Sequence, residues 1–299
     1  MSFLRRDLIA ALIVVLAALL AVPVATAAGS TSALVDVRAA HYPGYDRIVF
    51  EFEGPMPQVV RAHWATDLRL TPSHKPAHVQ GSAFIRVAFR RAVAHDLEPP
   101  QESTFGPSRR AFALPNIAHA VLLGDNEGTV SMGIGLMKRT KIVRTYKLHK
   151  PSRFVMHVAT GFPKGSAKVF FVDEEAVTDG QRPYVVSVTR KVPKGRRAEA
   201  SLQRLYAGPT QAEKKKGLRF VASGTRGFRD LGINDGGVAR VTLRGPCDSG
   251  GSAEVTVASQ VKPTLRSRPS VDWVKIYDRH GQTTQPWGKR DSIPACLEP

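Results

Sequence analysis

Four groupings of side chains in this sequence have the types and spacing that chemistry needs. Glu51 and Glu53 alternate along one run, which sets both carboxylates on one face about 7 Å apart, a spacing suited to glycoside hydrolysis. Arg47 and Val49 share that face, so it reads as a solvated sheet surface. His74 and His78 stand four apart, as metal ligands on a helix do. Pro72 and Pro76 break any helix there, and a polar loop is the expectation. His95-Asp96 is an acid/base pair by type and a strand end by context. Ser249 lies in the Gly-rich run Cys247-Asp248-Ser249-Gly250-Gly251, and His41 follows Ala39-Ala40.

The segment around Ser249 is similar to the D-S-G-G surrounding the nucleophile of chymotrypsin-like proteases, and Ala39-Ala40-His41 is similar to the segment around their catalytic histidine. That resemblance implies a secreted serine protease, or more broadly a wall hydrolase, using Ser249. It departs at a decisive place: those enzymes carry Gly two positions before the serine, to shape the oxyanion hole, and here that position is Cys247. His41 also lies in a different apparent domain. A Gly-rich loop entering a helix, with Ser252 as its N-cap, is the simpler expectation. There is no G-x-S-x-G elbow, no phosphate cradle and no zinc spacing. The sequence therefore reads as a non-enzyme without metal or cofactor.

Three surfaces are candidates for binding. Trp273, Lys275 and Tyr277 alternate with Val274 and Ile276. If the aliphatic pair faces the core, the other three form an aromatic-basic strip suited to sugar stacking or partner contact; the alternative is that the strip packs under the C-terminal tail. Lys138, Arg139, Lys141 and Arg144 form a basic cluster between two strands. Lys214, Lys215 and Lys216 lie at a helix end. A solvated face is the alternative for both basic groups.

The elements that position these residues are legible in part. Ala198, Leu202, Leu205 and Tyr206 fall at helical spacing and form one apolar stripe. Gly208 ends that helix and Pro209 prevents its continuation. Thr210 opens a second turn with Glu213 three residues on, a capping box, and Gly217 closes it. Upstream, Ile48–Glu53, Gln58–Ala65, Phe84–Val93, Thr129–Met137, Ile142–Leu148 and Phe154–Val158 read as strands separated by turn signals. Regular short strands with no long helical pattern predict an all-β sandwich over 33–160. Gly161–Ser166 has the composition of a linker, and residues 167–285 alternate strands with helices, predicting a small α+β domain. Asn234–Gly237 marks a hairpin, Ser252–Leu265 a helix and Val271–Tyr277 a final strand; residues 286–299 form a C-terminal tail. The fold class is thus α+β multidomain, and fragments 28–162 and 165–299 are expected to fold separately.

The N-terminus carries Arg5-Arg6, an apolar run from Leu8 to Val22 and the small-x-small site Ala25-Thr26-Ala27. This predicts a signal peptide over 1–27, export, and no transmembrane domain in the mature form, with an uncleaved anchor as the alternative. An oxidising destination favours a Cys247–Cys296 disulfide over two free thiols. The net charge is +18. For an exported protein the polyanions at hand are wall polymers, lipid headgroups and acidic glycans rather than nucleic acid.

Two longer stretches resemble known families. Gly44–Gly54, Gly128–Leu136 and Lys150–Val158 look like the AMIN-like domain of secreted proteins from high-GC Gram-positive bacteria. The pattern L-x-x-L-x-x-G-P-T-x-x-E-x-x-x-G-L over 202–218, continued by Ala258, Gln260, Val261, Thr264 and Leu265, resembles the GerMN domain of spore germination proteins. It departs at Tyr206, where a second Leu is usual, and at Pro263, expected to kink or shorten the second helix. The resemblances imply a non-catalytic envelope protein that binds or organises an anionic cell-wall polymer, peptidoglycan, itself or another envelope protein.

Overall fold

A computed structural model describes residues 31–251 and 254–298. The predicted signal peptide and the Ser252 cap lie outside the described residues. The first half is built from strict period-2 alternation. In β2 (Tyr45–Glu53) Ile48, Phe50 and Phe52 are buried while Arg47, Val49 and Glu51 are part-exposed. β1 (Ser32–Tyr42), β5 (Ala92–Val93), β9 (Ile142–Leu148) and β10 (Ser152–Ala159) join it in a five-stranded sheet, order β5-β1-β2-β10-β9. A second sheet holds β3 (Gln58–Ala65), β4 (Ala83–Arg90), β6 (Arg109–Ala111), β7 (Ile117–Asn126) and β8 (Thr129–Leu136), order β3-β4-β8-β7-β6. Their inner faces share one core, in which Phe50, Phe52 and Phe154 surround Phe89 at ring-centroid distances of 5.3, 4.9 and 5.6 Å. This is the expected sandwich, with β1 and β7 as strands that no sequence signal had marked.

The second half is the expected α+β region. β11 (Lys164–Asp173) pairs with β12 (Val185–Pro193) and β13 (Leu218–Arg219). β14 (Gly227–Ile233) and β15 (Val238–Arg244) form the hairpin around Asn234–Gly237, and β16 (Trp273–Tyr277) adds in parallel to β15. After the short α1 (Glu174–Thr178), α2 (Arg197–Ala207) buries Leu202, Leu205 and Tyr206 and stops at Gly208, whose φ of 89° suits a residue without Cβ. α3 (Gln211–Lys214) carries the Thr210/Glu213 capping box. Glu213 also holds the buried Arg190 guanidinium with both oxygens, at 2.8 and 2.5 Å. α4 (Val257–Arg266) starts later than expected, capped by Thr256, whose hydroxyl accepts from the Ala258 amide. Pro263 does not shorten α4, which continues to Arg266.

Two expectations about the boundary change. Lys164, Gly165 and Ser166 are not linker: they are the first residues of β11, paired with Pro193, Val192 and Lys191. Only residues 160–163 connect the halves, and Phe162 within them is buried. Both halves also belong to one compact unit. Ala118 and Met137 pack on Val192 and Ala200, and Ala111 bridges Thr210 through backbone. At the seam Arg204 is 1% exposed. Its guanidinium donates to the carbonyls of Phe112, Leu114, Pro115 and Ile117 in the first half and Lys191 in the second. Burial, then repulsion from Arg190, lowers its pKa to about 9, so it is charged at neutral pH.

Removing the Arg204 side chain leaves those carbonyls without a donor and a cavity beside them. We expect Arg204→Ala to lower the unfolding free energy by about 3–5 kcal/mol in urea titration, and a loss below about 1 kcal/mol to refute its role as the seam's anchor. A second expectation concerns acid. Burial, then the charge of Arg109, lowers the pKa of His119 from 6.5 to about 3. The unfolded chain takes up a proton below pH 6.5 that the folded chain refuses, so stability falls as pH drops from 6.5 toward 3. The contribution approaches about 1.4 kcal/mol per pH unit, and His119→Gln should flatten the slope by that amount.

Candidate functional site

The outer face of the first sheet gathers a set of rings and guanidinium groups. Strand register builds it row by row. Ala40, Arg47, His157 and Arg144 stand side by side across β1, β2, β10 and β9. The next row is Arg38, Val49, Val155 and Tyr146, and the next Asp36, Glu51, Arg153 and Leu148. Tyr42 and Tyr45 close the end, facing each other across the β1–β2 turn. Because side chains alternate, the residues between these point into the Phe-rich core and hold the outer set in place.

The rings form a continuous array. Tyr42 stacks on Tyr45 at 5.3 Å, Tyr45 on His157 at 4.2 Å, and Tyr146 meets His157 edge-on at 5.5 Å. The Arg47 guanidinium lies 4.3 Å from the Tyr42 ring centre, and that of Arg144 lies 4.4 Å from Tyr146. Arg47 Nε donates to His157 Nε2 at 3.0 Å, and its Nη1 to the Tyr42 hydroxyl at 3.2 Å. Burial, then the charges of Arg47 and Arg144, lowers the His157 pKa, so this ring accepts that bond as a neutral imidazole. A groove of 240 Å³ runs over this face, floored by Val49 and Val155 and walled by Tyr42, Arg47, Tyr146 and Leu148. Ring faces can stack on the C–H faces of sugars, while fixed guanidiniums donate to hydroxyl and carboxylate oxygens.

The sequence-marked residues are placed as follows. Lys138, Arg139, Lys141 and Arg144 are exposed. Arg139 lies 4.9 Å from the Trp64 ring and Lys138 5.7 Å from that of Phe162, and Arg144 belongs to the ring array itself. Lys214, Lys215 and Lys216 are exposed at the end of α3. Of the two readings of Trp273, Lys275 and Tyr277, the open binding strip is corrected and the alternative, packing under the C-terminal tail, is what the structure shows. Lys275 is fully buried, its Nζ donating to the carbonyls of Gln285 at 2.6 Å and Trp287 at 3.1 Å. The free edge of β16 bonds to the tail, through Ile276 N–H to Ser292 O and Ser292 N–H to Val274 O, and this draws the tail across Lys275. Trp273 and Tyr277 remain half-buried. Cys247 and Cys296 are bonded, with Cα atoms 5.7 Å apart.

The catalytic candidates resolve into structural roles. Ser249 Oγ accepts from the Gly251 amide within its own turn, and His41 is bound to Asp46 in the first sheet. Glu51 is paired with Arg38 at 2.6 Å. His95 pairs with Asp125, not with its neighbour Asp96. His74 and His78 are loop residues with left-handed φ, and no group of three or more metal-ligating side chains occurs among the described residues. Tyr42, Tyr45, Tyr146, Arg153 and His157 escaped the sequence reading. The alternation of Tyr45, Arg47 and Val49 was the available signal, but their neighbours across the sheet are distant in sequence.

Residues 32–160 match the family described as the AMIN-like domain, and residues 168–283 match the Germane family, described as sporulation and spore germination. The chain therefore carries an AMIN-like domain followed by a Germane, or GerMN-type, domain. AMIN-like domains are generally associated with the cell wall and envelope, and neither domain is known as a catalytic one. No curated protein matches the chain. Among the described residues no helix is long and apolar enough to cross a membrane.

The disulfide ties the tail that covers Lys275 to the loop before α4. On chain-entropy grounds its 49-residue separation is worth about 4 kcal/mol. Replacing both cysteines by serine should lower the unfolding free energy by that amount in denaturant titration under oxidising conditions, and an unchanged midpoint would show the bond to be idle.

Proposed function

We propose that this is a non-catalytic protein of the cell envelope that binds an anionic wall glycan on the outer face of its AMIN-like sandwich. The observation that carries the reading is the ring array of Tyr42, Tyr45, His157 and Tyr146, with Arg47 and Arg144 against its rings and a groove beside it. A glycan fits an open groove with stacking faces and fixed cationic donors, whereas a small substrate needs an enclosed pocket. Lys138, Arg139 and Lys141 extend the positive charge beyond the array, and Lys214–Lys216 add to the +18 balance that favours a polyanion. Export by the N-terminal signal peptide delivers the protein to that polymer. The envelope association of AMIN-like domains supports that role, and neither domain is known as a catalytic one.

The test is co-sedimentation of the mature protein with purified cell wall across salt concentrations. Binding should weaken as the Debye length falls from about 10 Å at 0.1 M to about 3 Å at 1 M. The double variant Arg47→Ala, Tyr146→Ala should weaken it about tenfold, beyond what its own melting temperature accounts for, since it removes a guanidinium and a ring from the groove wall. Replacing Lys214, Lys215 and Lys216 with Glu should give a smaller loss, confined to low salt. Binding that ignores salt and the double variant sinks the reading. Self-association without wall material points instead to assembly, and hydrolysis abolished by Ser249→Ala restores the enzyme.

A further inference from the structure

A second concavity, of 520 Å³, opens where the two domains meet. His78, Gln80 and Gly81 line it from the AMIN-like side; Arg226, Arg229 and Arg244 line it from the Germane side. The domains are tied together at its floor, where Gln80 Nε2 donates to His78 O at 3.0 Å and to Arg226 O at 3.2 Å. Arg226 and Arg244 sit side by side at the foot of the β14–β15 hairpin, the Arg226 amide donating to Arg244 O at 2.8 Å. Neither guanidinium has a hydrogen bond or ion pair among the described residues. Two carboxylates, Glu199 and Asp230, also line the cavity, and each is engaged by another arginine. Glu199 pairs with Arg196 at 2.7 Å, and Asp230 lies 3.5 Å from Arg229. Arg109 adds charge from the first domain while its own donors hold the carbonyls of Ala77 and His78. The guanidiniums of this cavity that no carboxylate compensates are therefore those of Arg226 and Arg244. The same charges, after burial itself, lower the pKa of His78, so its ring stays neutral and keeps an acceptor or donor available beside them.

We propose that this inter-domain cleft is an anion site that takes a phosphoryl group between Arg226 and Arg244. Planar guanidiniums bind phosphoryl oxygens two at a time, and two that lack internal partners gain charge-assisted bonds without breaking others. A carboxylate offers two oxygens on one plane, whereas a phosphoryl group presents oxygens in several directions and can meet both arginines at once. The group can arrive on a phosphodiester polymer or as a free small phosphate. Because both domains line the cleft, the ligand also links them. This site is independent of the sheet-face reading, which uses a different set of residues, on β1, β2, β9 and β10.

The test is titration calorimetry and thermal unfolding of the full mature chain with two probes, pyrophosphate and poly(glycerol phosphate). Binding of either should raise the unfolding temperature with ligand concentration. The double variant Arg226→Ala, Arg244→Ala should weaken it about tenfold or more, with an unchanged ligand-free melting temperature because both side chains are exposed. Arg47→Ala with Tyr146→Ala should leave it intact, which separates this site from the glycan face. Binding of the polymer alone identifies the phosphodiester source, and binding of pyrophosphate identifies the free one; either supports the site. No heat and no thermal shift with both probes overturns it, as does binding that the double arginine variant leaves unchanged. If the double variant melts early, Arg244→Lys, which keeps the charge and loses the fork, must still weaken binding.

Discussion

One peptide group sits between two buried charges, and the union of the domains depends on it. The amide of Asn116 donates to Asp46 Oδ2 at 2.7 Å, while the carbonyl of Pro115, in the same peptide unit, accepts from Arg204 at 3.3 Å. The dipole of that peptide is aligned from anion to cation. Ile117 also reaches both charges, through two successive peptide units, its amide on Asp46 at 2.9 Å and its carbonyl on Arg204 at 3.2 Å. Asp46 belongs to β2 and Arg204 to α2, so the segment between β6 and β7 is held from both domains at once. A charge as buried as Arg204 is tolerable only with such compensation. Its five carbonyl partners and the distant Asp46 supply it.

The same strand that carries Asp46 also orders the outer face. β2 sends Ile48, Phe50 and Phe52 inward and Tyr45, Arg47, Val49 and Glu51 outward. The core therefore fixes the register in which β1, β10 and β9 present their own outer residues. A one-residue slip would bury Arg47 and expose Phe50, an exchange the sandwich core forbids. Arg47 then links His157, Tyr42 and the Tyr45 ring stack, so the array is rigid before any ligand arrives, which lowers the entropic cost of binding.

In the Germane domain the governing constraint is an open sheet edge. β16 is the last strand of its sheet, and its free backbone groups attract the tail around Ser292. Lys275 is buried as a consequence, and its ammonium finds two carbonyls of the covering segment. The Cys247–Cys296 bond holds that tail to the loop before α4. What alternates like a binding strip along β16 is thus the contact surface of the protein's own C-terminus.

Local rules read from the sequence survive where the chain answers to itself. The stripe and stop of α2, the Thr210/Glu213 capping box, the Asn234–Gly237 hairpin and the alternation of β2 each involve residues within a few positions, and backbone geometry leaves little choice there. The two domain patterns were legible for the same reason, because they are made of such local signals. Long-range pairing decided the rest. His157 meets Arg47 across 110 residues, and no local pattern announces that partnership. The linker reading failed because Lys164–Ser166 look like coil until Lys191–Pro193 pair with them. Whether Lys275 faced solvent or the tail was decided only by the pairing of the tail with β16. Arg204 sits on an amphipathic helix as any solvated arginine does, and only the carbonyls of residues 112–117, brought over it by the other domain, make it the buried centre of the seam.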